Sequence, residues 1–268
     1  MTSPHAFAGS VPANYDKYLG PLLFEPYALD MAGRLSNAKL QQVLELACGT
    51  GRVTKHLVSL LTEDGQLLAT DINADMLAFA KTKVEDNRIK WQVADAQELP
   101  FERERFDHVI CQFGLMFFPD KQQACNEAYR VLQPGGKFIF SVWDDMLYNP
   151  RSFPIKKIAD DMFGADAPDL LKKGPYSFFD KDEIKRVIQK AGFRELKIEE
   201  VKKTASYDTV DDVMKGFVDG SPLSSFLHNK PLAVQKELKQ RLRQEITAQV
   251  QQYGSEIPLQ ALLIEALK

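Results

Sequence analysis

Two glycines and three acids stand out as residues whose types and spacing could do chemistry: Gly49 and Gly51 in the run Glu45-Leu-Ala-Cys-Gly-Thr-Gly51, with Glu45 opening it, then Asp71 and Asp95 further along. Glycine lets a backbone approach a ligand closely, because no Cβ stands in the way. An acid placed beyond such a loop can accept hydrogen bonds from both hydroxyls of a ribose. That combination suits a nucleoside-containing cofactor. A dinucleotide fingerprint would need a third glycine to let helix and strand pack closely under a pyrophosphate. Here Arg52-Val-Thr54 follows Gly51 instead, and the chain has no Gly-Lys-Ser or Gly-Lys-Thr of a P-loop. The expected ligand is a nucleoside without a phosphate chain.

These residues need a scaffold, and the pattern from Lys39 onward supplies one. Short β-like runs alternate with helical stretches, as in a parallel sheet covered by helices. Strands are expected at Gln42–Ala47, Gln66–Asp71, Ile89–Ala94, Phe106–Phe113 and Lys137–Trp143. The glycine loop, Asp71 and Asp95 then all fall at carboxyl ends of strands, where open parallel sheets bind ligands. Helices are expected at Val53–Leu61, from Asn73, and from the capping Asp120 to Leu132. Beyond Trp143 the pattern loosens. Four prolines between Asp144 and Ser177 leave room for one short helix, Ile155–Phe163. Asp180–Ala191 reads as a helix stopped by Gly192, Phe193–Lys203 as a strand, Asp208–Val218 as a helix and Ala233–Tyr253 as a long amphipathic one. The apolar run Ile257–Leu267 suits a buried strand.

Composition narrows the class. The chain has 268 residues, 44% hydrophobic and 26% charged, which argues against disorder or repeats. Lys and Arg number 34 against 37 Asp and Glu, a net charge of −3 that disfavours a nucleic-acid partner. Cys48, Cys111 and Cys125 lack metal-ligand spacing and read as buried thiols of a reducing compartment. His5, His56, His108 and His228 form no ligand pair, so no metal is expected. Met1–Val11 has no basic segment leading into an apolar run, and no stretch is long enough to span a bilayer. A cytoplasmic protein without membrane association is expected, as monomer or homodimer.

Taken together the motifs resemble those of the class I S-adenosylmethionine-dependent methyltransferases, in their UbiE-like small-molecule branch. Val43-Leu-Glu-Leu-Ala-Cys-Gly-Thr-Gly51 is similar to the first motif of that family, Asp71 to the acid closing its second strand, and Val93-Ala-Asp-Ala-Gln-Glu-Leu-Pro-Phe101 to its adenine-binding segment. Phe106–Phe113 resembles the fourth-strand motif and Tyr129-Arg-Val-Leu-Gln-Pro-Gly-Gly-Lys137 the turn before the fifth strand. The resemblance covers about residues 39–143. It implies an α/β, Rossmann-like sheet of seven strands in the order 3-2-1-4-5-7-6, strand seven antiparallel, with helical lid insertions. One domain, 1–268, is then expected, its core about 39–145 plus 180–204 and 256–268, and its lid segments 1–38, 145–178 and 205–255.

The resemblance also implies roles around S-adenosylmethionine and its product S-adenosylhomocysteine. Gly49 and Gly51 would pass close to the methionine and ribose, Glu45 would anchor the amino group, and Asp71 would hold the ribose hydroxyls. Ile72 or Met76 would pack on the adenine, Asp95 would accept from its amino group, and Ala96 would add a backbone contact. Gln112 would face the methionine, and Tyr15 would lay an aromatic ring over the sulfonium, a cation attracted to a ring face. Arg34 reads as an exposed helical arginine, with the cofactor carboxylate as its alternative partner, and His228 is a candidate for a base. Trp143, Asp144 and Tyr148 could line an acceptor site. Phe153, Phe163, Tyr176, Phe178, Phe217 and Phe226 in the lid segments suggest an apolar or aromatic small molecule as methyl acceptor. Methylation of RNA or protein, and a non-catalytic cofactor-binding protein, are the alternatives. No obligatory catalytic residue is expected, because methyl transfer needs alignment first.

Overall fold

The computed structural model describes residues 11–150, 153–167, 174–207 and 209–268. Seven strands form one sheet in the order β3-β2-β1-β4-β5-β7-β6. β1 (Leu40–Glu45), β2 (Leu61–Asp71), β3 (Ile89–Val93), β4 (Phe106–Gln112) and β5 (Leu132–Trp143) run parallel. β7 (Glu256–Leu267) runs antiparallel between β5 and β6 (Glu195–Ser206). The expected order and the reversed seventh strand are both present. β7 is apolar almost throughout because it is central and covered on both faces: Ala261, Leu262, Leu263, Ile264 and Ala266 are all buried.

The flanking helices follow from spacing and caps. α4 (Ala74–Lys83) starts where the Asn73 side chain accepts from the amides of Asp75 and Met76, and α5 (Lys121–Val131) where Asp120 accepts from Gln123. α5 turns Ala124, Cys125, Ala128 and Val131 inward. α7 (Lys181–Ala191) is capped by Asp180, buries Ile184 and Ile188, and ends at Gly192. The helix after the glycine loop, α3 (Thr54–Val58), is shorter than expected because Leu61 already pairs with Leu40 as the start of β2.

The N-terminal segment runs as a single helical path through α1 (Val11–Asn14), a π-helical stretch Tyr15–Phe24, and α2 (Glu25–Leu35). α2 lays Tyr27, Ala28, Met31 and Leu35 against the sheet core. Met1–Ser10, the other part of the expected first lid segment, lie outside the described residues, as do residues 151–152, 168–173 and Asp208.

α6 (Phe153–Phe163), α8 (Val210–Met214), a second π-helical stretch Lys215–Asp219, α9 (Pro222–His228) and α10 (Leu232–Tyr253) make a helical cap. The cap has a core of its own, in which Ile158, Val213, Val218, Leu227, Leu238 and Leu242 are buried together. Most of its aromatic side chains serve that packing. Phe163 and Phe226 meet edge to face at 5.0 Å, and Phe178 is fully buried in the main core. The side chain of Phe153 is outside the described residues. Among the described residues no helix is long and apolar enough to cross a membrane.

Leu238 is 1% exposed at the centre of the cap cluster. Leu238→Ala is expected to destabilise the protein by about 2–5 kcal/mol through the lost burial and the cavity left behind. A urea titration followed by circular dichroism measures this, and an unchanged midpoint would contradict the existence of that core.

Candidate functional site

The site begins where β1 ends. Ala47 has a left-handed φ of 51°, Gly49 of 55° and Gly51 of 78°, so the chain reverses within five residues through a region that side chains disfavour. At Gly51 a Cβ would press on Ala80 Cβ at 3.2 Å and Val84 at 3.4 Å. The loop is fixed from β2: Asp71 Oδ2 accepts from the Gly49 amide at 2.8 Å and its Oδ1 from the Asn73 amide at 2.8 Å. The Thr70 hydroxyl donates to the Glu45 carbonyl at 2.8 Å, tying the two strand ends together.

A cavity of about 40 Å³ lies behind this loop, walled by Glu45, Gly49, Arg52 and Gln112 and roofed by Tyr15 and Phe24 of the N-terminal segment. Glu45 is 2% exposed, and its Oε2 accepts from the Thr54 hydroxyl at 2.6 Å. Burial, with the Asp71 carboxylate nearby, pushes the Glu45 carboxyl up to about 8. Gln112 donates from Nε2 to the Phe24 carbonyl at 3.1 Å, while its buried Oε1 has no donor. Two acceptor groups therefore share a cavity that offers them no cation. Among the described residues the cation in its wall is Arg52, whose two terminal nitrogens are committed elsewhere while its buried Nε has no partner. Those two nitrogens donate to Glu25 at 2.8 Å and to both the carbonyl and the carboxylate of Asp16 at 2.7 Å.

Beyond the tips of β2 and β3 the surroundings change character. Ile72 and Val93 are about half exposed, an apolar pair on neighbouring strand ends, since Asp71 is in register with Val93. Met76 and Ala96 are buried beside them. Asp95 is half-buried and folds back on its own loop, accepting from the Gln97 amide at 2.8 Å. On the opposite side a set of aromatic rings extends from the roof. Tyr15 stacks on Phe24 at 5.0 Å, and Phe113 stacks on Trp143 at 4.2 Å with 14° between planes. Phe24 bridges the two pairs, 5.7 Å from Phe113 and 6.3 Å from Trp143, and Tyr27 meets Phe113 edge-on.

The sequence-predicted residues thus divide. Tyr15, Glu45, Gly49 and Gln112 line one cavity. Gly51 and Asp71 shape its loop, while Ile72, Met76, Asp95 and Ala96 lie along the β2–β3 side. Arg34 belongs to neither group: it pairs with Asp30, Glu199 and Glu265 on the β6–β7 side of the sheet. His228 is exposed at the end of α9 in the cap. Asp144 is buried and accepts from Gln260 Nε2 at 2.7 Å, so it holds the turn after β5, and Tyr148 is 54% exposed. Arg52, Phe24, Phe113 and Val93 are the additions. Arg52 adjoins Gly51, a signal available in the sequence, but an arginine opening a helix reads as solvated. The left-handed φ of 52° that turns Phe113 toward Trp143 left no trace there.

A family profile described as "Methyltransferase domain" matches residues 44–140. The ubiquinone/menaquinone biosynthesis C-methyltransferase UbiE of Proteus mirabilis is 33% identical over 187 residues, 64% of this chain and 72% of that protein. The chain belongs to the UbiE-like class I S-adenosylmethionine-dependent methyltransferases. The UbiE protein of Haemophilus ducreyi is likewise 33% identical, over 69% of this chain and 77% of its own length. Among solved structures, a phosphoethanolamine N-methyltransferase of Haemonchus contortus in complex with S-adenosyl-L-methionine shares the fold. Its TM-score is 0.62 at 17% identity, over 100% of this chain and 60% of that one. The protein is therefore a methyltransferase that uses S-adenosylmethionine, and the unpartnered Gln112 Oε1, with the Glu45 carboxyl beside it, fits the ammonium of that cofactor's amino-acid end.

Between pH about 4.5 and about 8 the folded chain keeps a proton on Glu45 that the unfolded chain has released. Ligand-free stability from this group must then fall as pH rises through that window. Glu45→Gln is expected to flatten the fall and to exceed the wild type in urea midpoint near pH 8. A midpoint at pH 8 lower than the wild type's would contradict a buried, reluctantly ionised carboxyl.

Proposed function

We propose that this enzyme methylates a small aromatic molecule of quinone-ring type, held against the rings of Phe24, Phe113, Trp143 and Tyr27. The observation that carries this reading is that aromatic cluster, placed beside Gln112 and Tyr15 at the carboxyl ends of β1, β4 and β5. Of these rings Phe24 lines the cavity while Phe113, Trp143 and Tyr27 are buried behind it, and a planar acceptor packs well on stacked and edge-on rings. The relatives named in ubiquinone and menaquinone biosynthesis as C-methyltransferases support an acceptor of this class. The net charge of −3 speaks against a nucleic-acid acceptor.

S-adenosylmethionine, when bound, supplies a methyl group already activated on a sulfonium. The chain's own residues then have to bind, align and exclude water, a contribution of positioning that can reach about 7–11 kcal/mol. Glu45 and Gln112 present oxygens to the ammonium. Asp71, both of whose oxygens keep capacity beyond their backbone bonds, receives the ribose hydroxyls. Ile72, Met76 and Ala96 provide an apolar bed for the adenine, to whose amino group Asp95 is the nearby acceptor. Gly49 and Gly51 let the backbone approach, and Tyr15 covers the cavity from the lid. Its phenol is raised by burial and by Asp71 and Asp16, so it stays neutral and serves as a ring rather than a base. The arrangement makes residues 11–268 one interleaved unit, since β7 closes the sheet only after the cap has been traversed.

Radiolabelled methyl transfer to a fractionated cell extract tests the substrate class. Label is expected in the organic-extractable small-molecule fraction, and label confined to RNA or protein would overturn the reading. Asp71→Asn is expected to weaken S-adenosylmethionine binding about tenfold to a hundredfold, the worth of one or two hydrogen bonds to a charged group. Calorimetric titration of the folded variant measures it.

A further inference from the structure

The π-helical stretch Tyr15–Phe24 carries two of the residues that roof the cavity, and it is fastened to the loop below by charge rather than by apolar packing alone. Asp16 is 6% exposed and sits at the centre. Its carboxylate accepts from the Thr50 hydroxyl at 2.9 Å, from Arg52 at 2.7 Å, and from Lys83 of α4. Glu25, at the other end of the stretch, accepts from Arg52 at 2.8 Å and Lys55 at 2.9 Å and pairs with His56 at 2.9 Å. Arg52 is common to both acids. Its guanidinium lies directly against the stretch: a Cβ on Gly20 would fall 2.1 Å from the Arg52 Nη2. The opposite side of the stretch is docked on the cap, where a Cβ on Gly216 would meet Leu19 at 2.7 Å and one on Gly220 the Tyr15 amide nitrogen at 2.9 Å.

The cavity is partly open to solvent, and its volume of about 40 Å³ has room for a few waters but not for an amino-acid chain. Something above it must move before a ligand enters. We infer that Arg52 is a positioning residue which bolts the Tyr15–Phe24 stretch shut over the glycine loop, so that the pocket opens and closes with the Arg52–Asp16 and Arg52–Glu25 pairs. The inference rests on the cofactor pocket proposed above. Arginine suits the task because its planar fork engages two acids and a carbonyl at once, which a lysine cannot. The pairs are mostly shielded from solvent, so the bolt holds at physiological salt better than exposed ion pairs would. Thr50 and Arg52 flank Gly51, and the lid is therefore fastened to the same loop that the ligand must contact.

A bolt and a mere wall differ in one measurable respect. Damaging a wall speeds ligand release and leaves entry unchanged or slower, whereas withdrawing a bolt from a closed lid speeds both. The experiment compares wild type with Arg52→Lys and Asp16→Asn, using S-adenosylhomocysteine as probe in stopped-flow binding. Hydrogen exchange of the ligand-free proteins is followed in parallel. Both variants are expected to raise association and dissociation rates at least about fivefold. They are also expected to accelerate amide exchange over 15–24 at least about tenfold, with β1 and β4 amides unchanged. Exchange over 15–24 within about twofold of wild type, or association unchanged or slowed, would overturn the inference. If Arg52→Lys lost its cooperative melt, Asp16→Asn would give the same reading. Lys83→Met, which removes a half-exposed partner of Asp16 and leaves Arg52 in place, should show a smaller change of the same sign. Failure of the wild type to bind S-adenosylhomocysteine would count against the pocket assignment alone, because exchange over 15–24 in the ligand-free proteins still tests the bolt.

Discussion

The Asp71 carboxylate and the Gly49 amide form the hydrogen bond on which this site turns. It joins the end of β2 to the loop leaving β1 at 2.8 Å, with Asp71 8% exposed. The same carboxylate accepts from the Asn73 amide, and the Asn73 side chain in turn caps α4. One acid thus sets the height of the glycine loop and the starting point of the helix beside it. Burial raises its carboxyl above the usual carboxylate range, and the backbone amides it accepts from offset only part of that rise. Those amides are fixed by strand and helix, so part of the cost of holding the charge there is met by dipoles that need no reorganisation. Removing the carboxylate would therefore disturb the loop's shape as well as any hydroxyl it receives.

The buried and half-buried acids around the cavity are treated in opposite ways. Burial pushes Asp16 up, but Lys83, Arg52 and Thr50 outweigh it and hold it below the usual carboxylate range. Glu25 is held down to about 2 against its own burial by Lys55, Arg52 and His56. Glu45, a few ångströms further in, has a threonine hydroxyl and the neighbouring Asp71 charge, and rises to about 8. Among the described residues, Arg52, Lys55 and Lys83 all pair with acids of the N-terminal segment. The cavity is left with one unpartnered buried acceptor, the Gln112 Oε1, beside a carboxyl whose bond comes from a threonine hydroxyl. A cationic amino-acid end fits that deficit and an anion does not.

How much of this was legible depended on whether a feature left a periodic or chemical mark. The five parallel strands could be read because each ends in a glycine turn, an acid or a proline, and strand seven because a run buried on both faces is apolar at every position. The start of β2 at Leu61 was hidden, since Thr62-Glu63-Asp64 carries no strand signal and only Leu61 before it pairs with Leu40. The two π-helical stretches fall where helix was expected, and only their wider turns were hidden, for another reason. Their spacing matches neither the helical nor the strand period, and Pro21 within the first of them argues against a helix. At the site, the residues with a chemical signature fell along the sheet's carboxyl edge. Arg34 was misread and Arg52 overlooked because an arginine's partners are set by tertiary contacts, here acids 36 and 27 positions away.

Strain is concentrated at the place where this fold opens its crevice. Ala47 after β1 and Phe113 after β4 both take left-handed φ, at 51° and 52°, although neither is a glycine. These are adjacent strands whose connections leave the sheet in different directions, the topological switch point at which parallel sheets bind ligands. The two turns press together. A Cβ added at Gly114 would meet Ala47 Cβ at 2.6 Å and the Cys111 sulfur at 2.8 Å, so glycine at 114 is what lets both turns coexist. In a bulky residue such as Phe113 this backbone costs on the order of 1–3 kcal/mol, and it persists only where surrounding contacts over-determine it. Stacking on Trp143, with Phe24 and Tyr27 against the same ring, supplies those contacts. The strain has a product: the Phe113 ring is carried out of the sheet and into the aromatic wall, while Gln112 before it stays aimed at the cavity. A relaxed extended residue at 113 would send its side chain along the pleat of β4, and the wall would lose the ring that joins the lid to the end of β5.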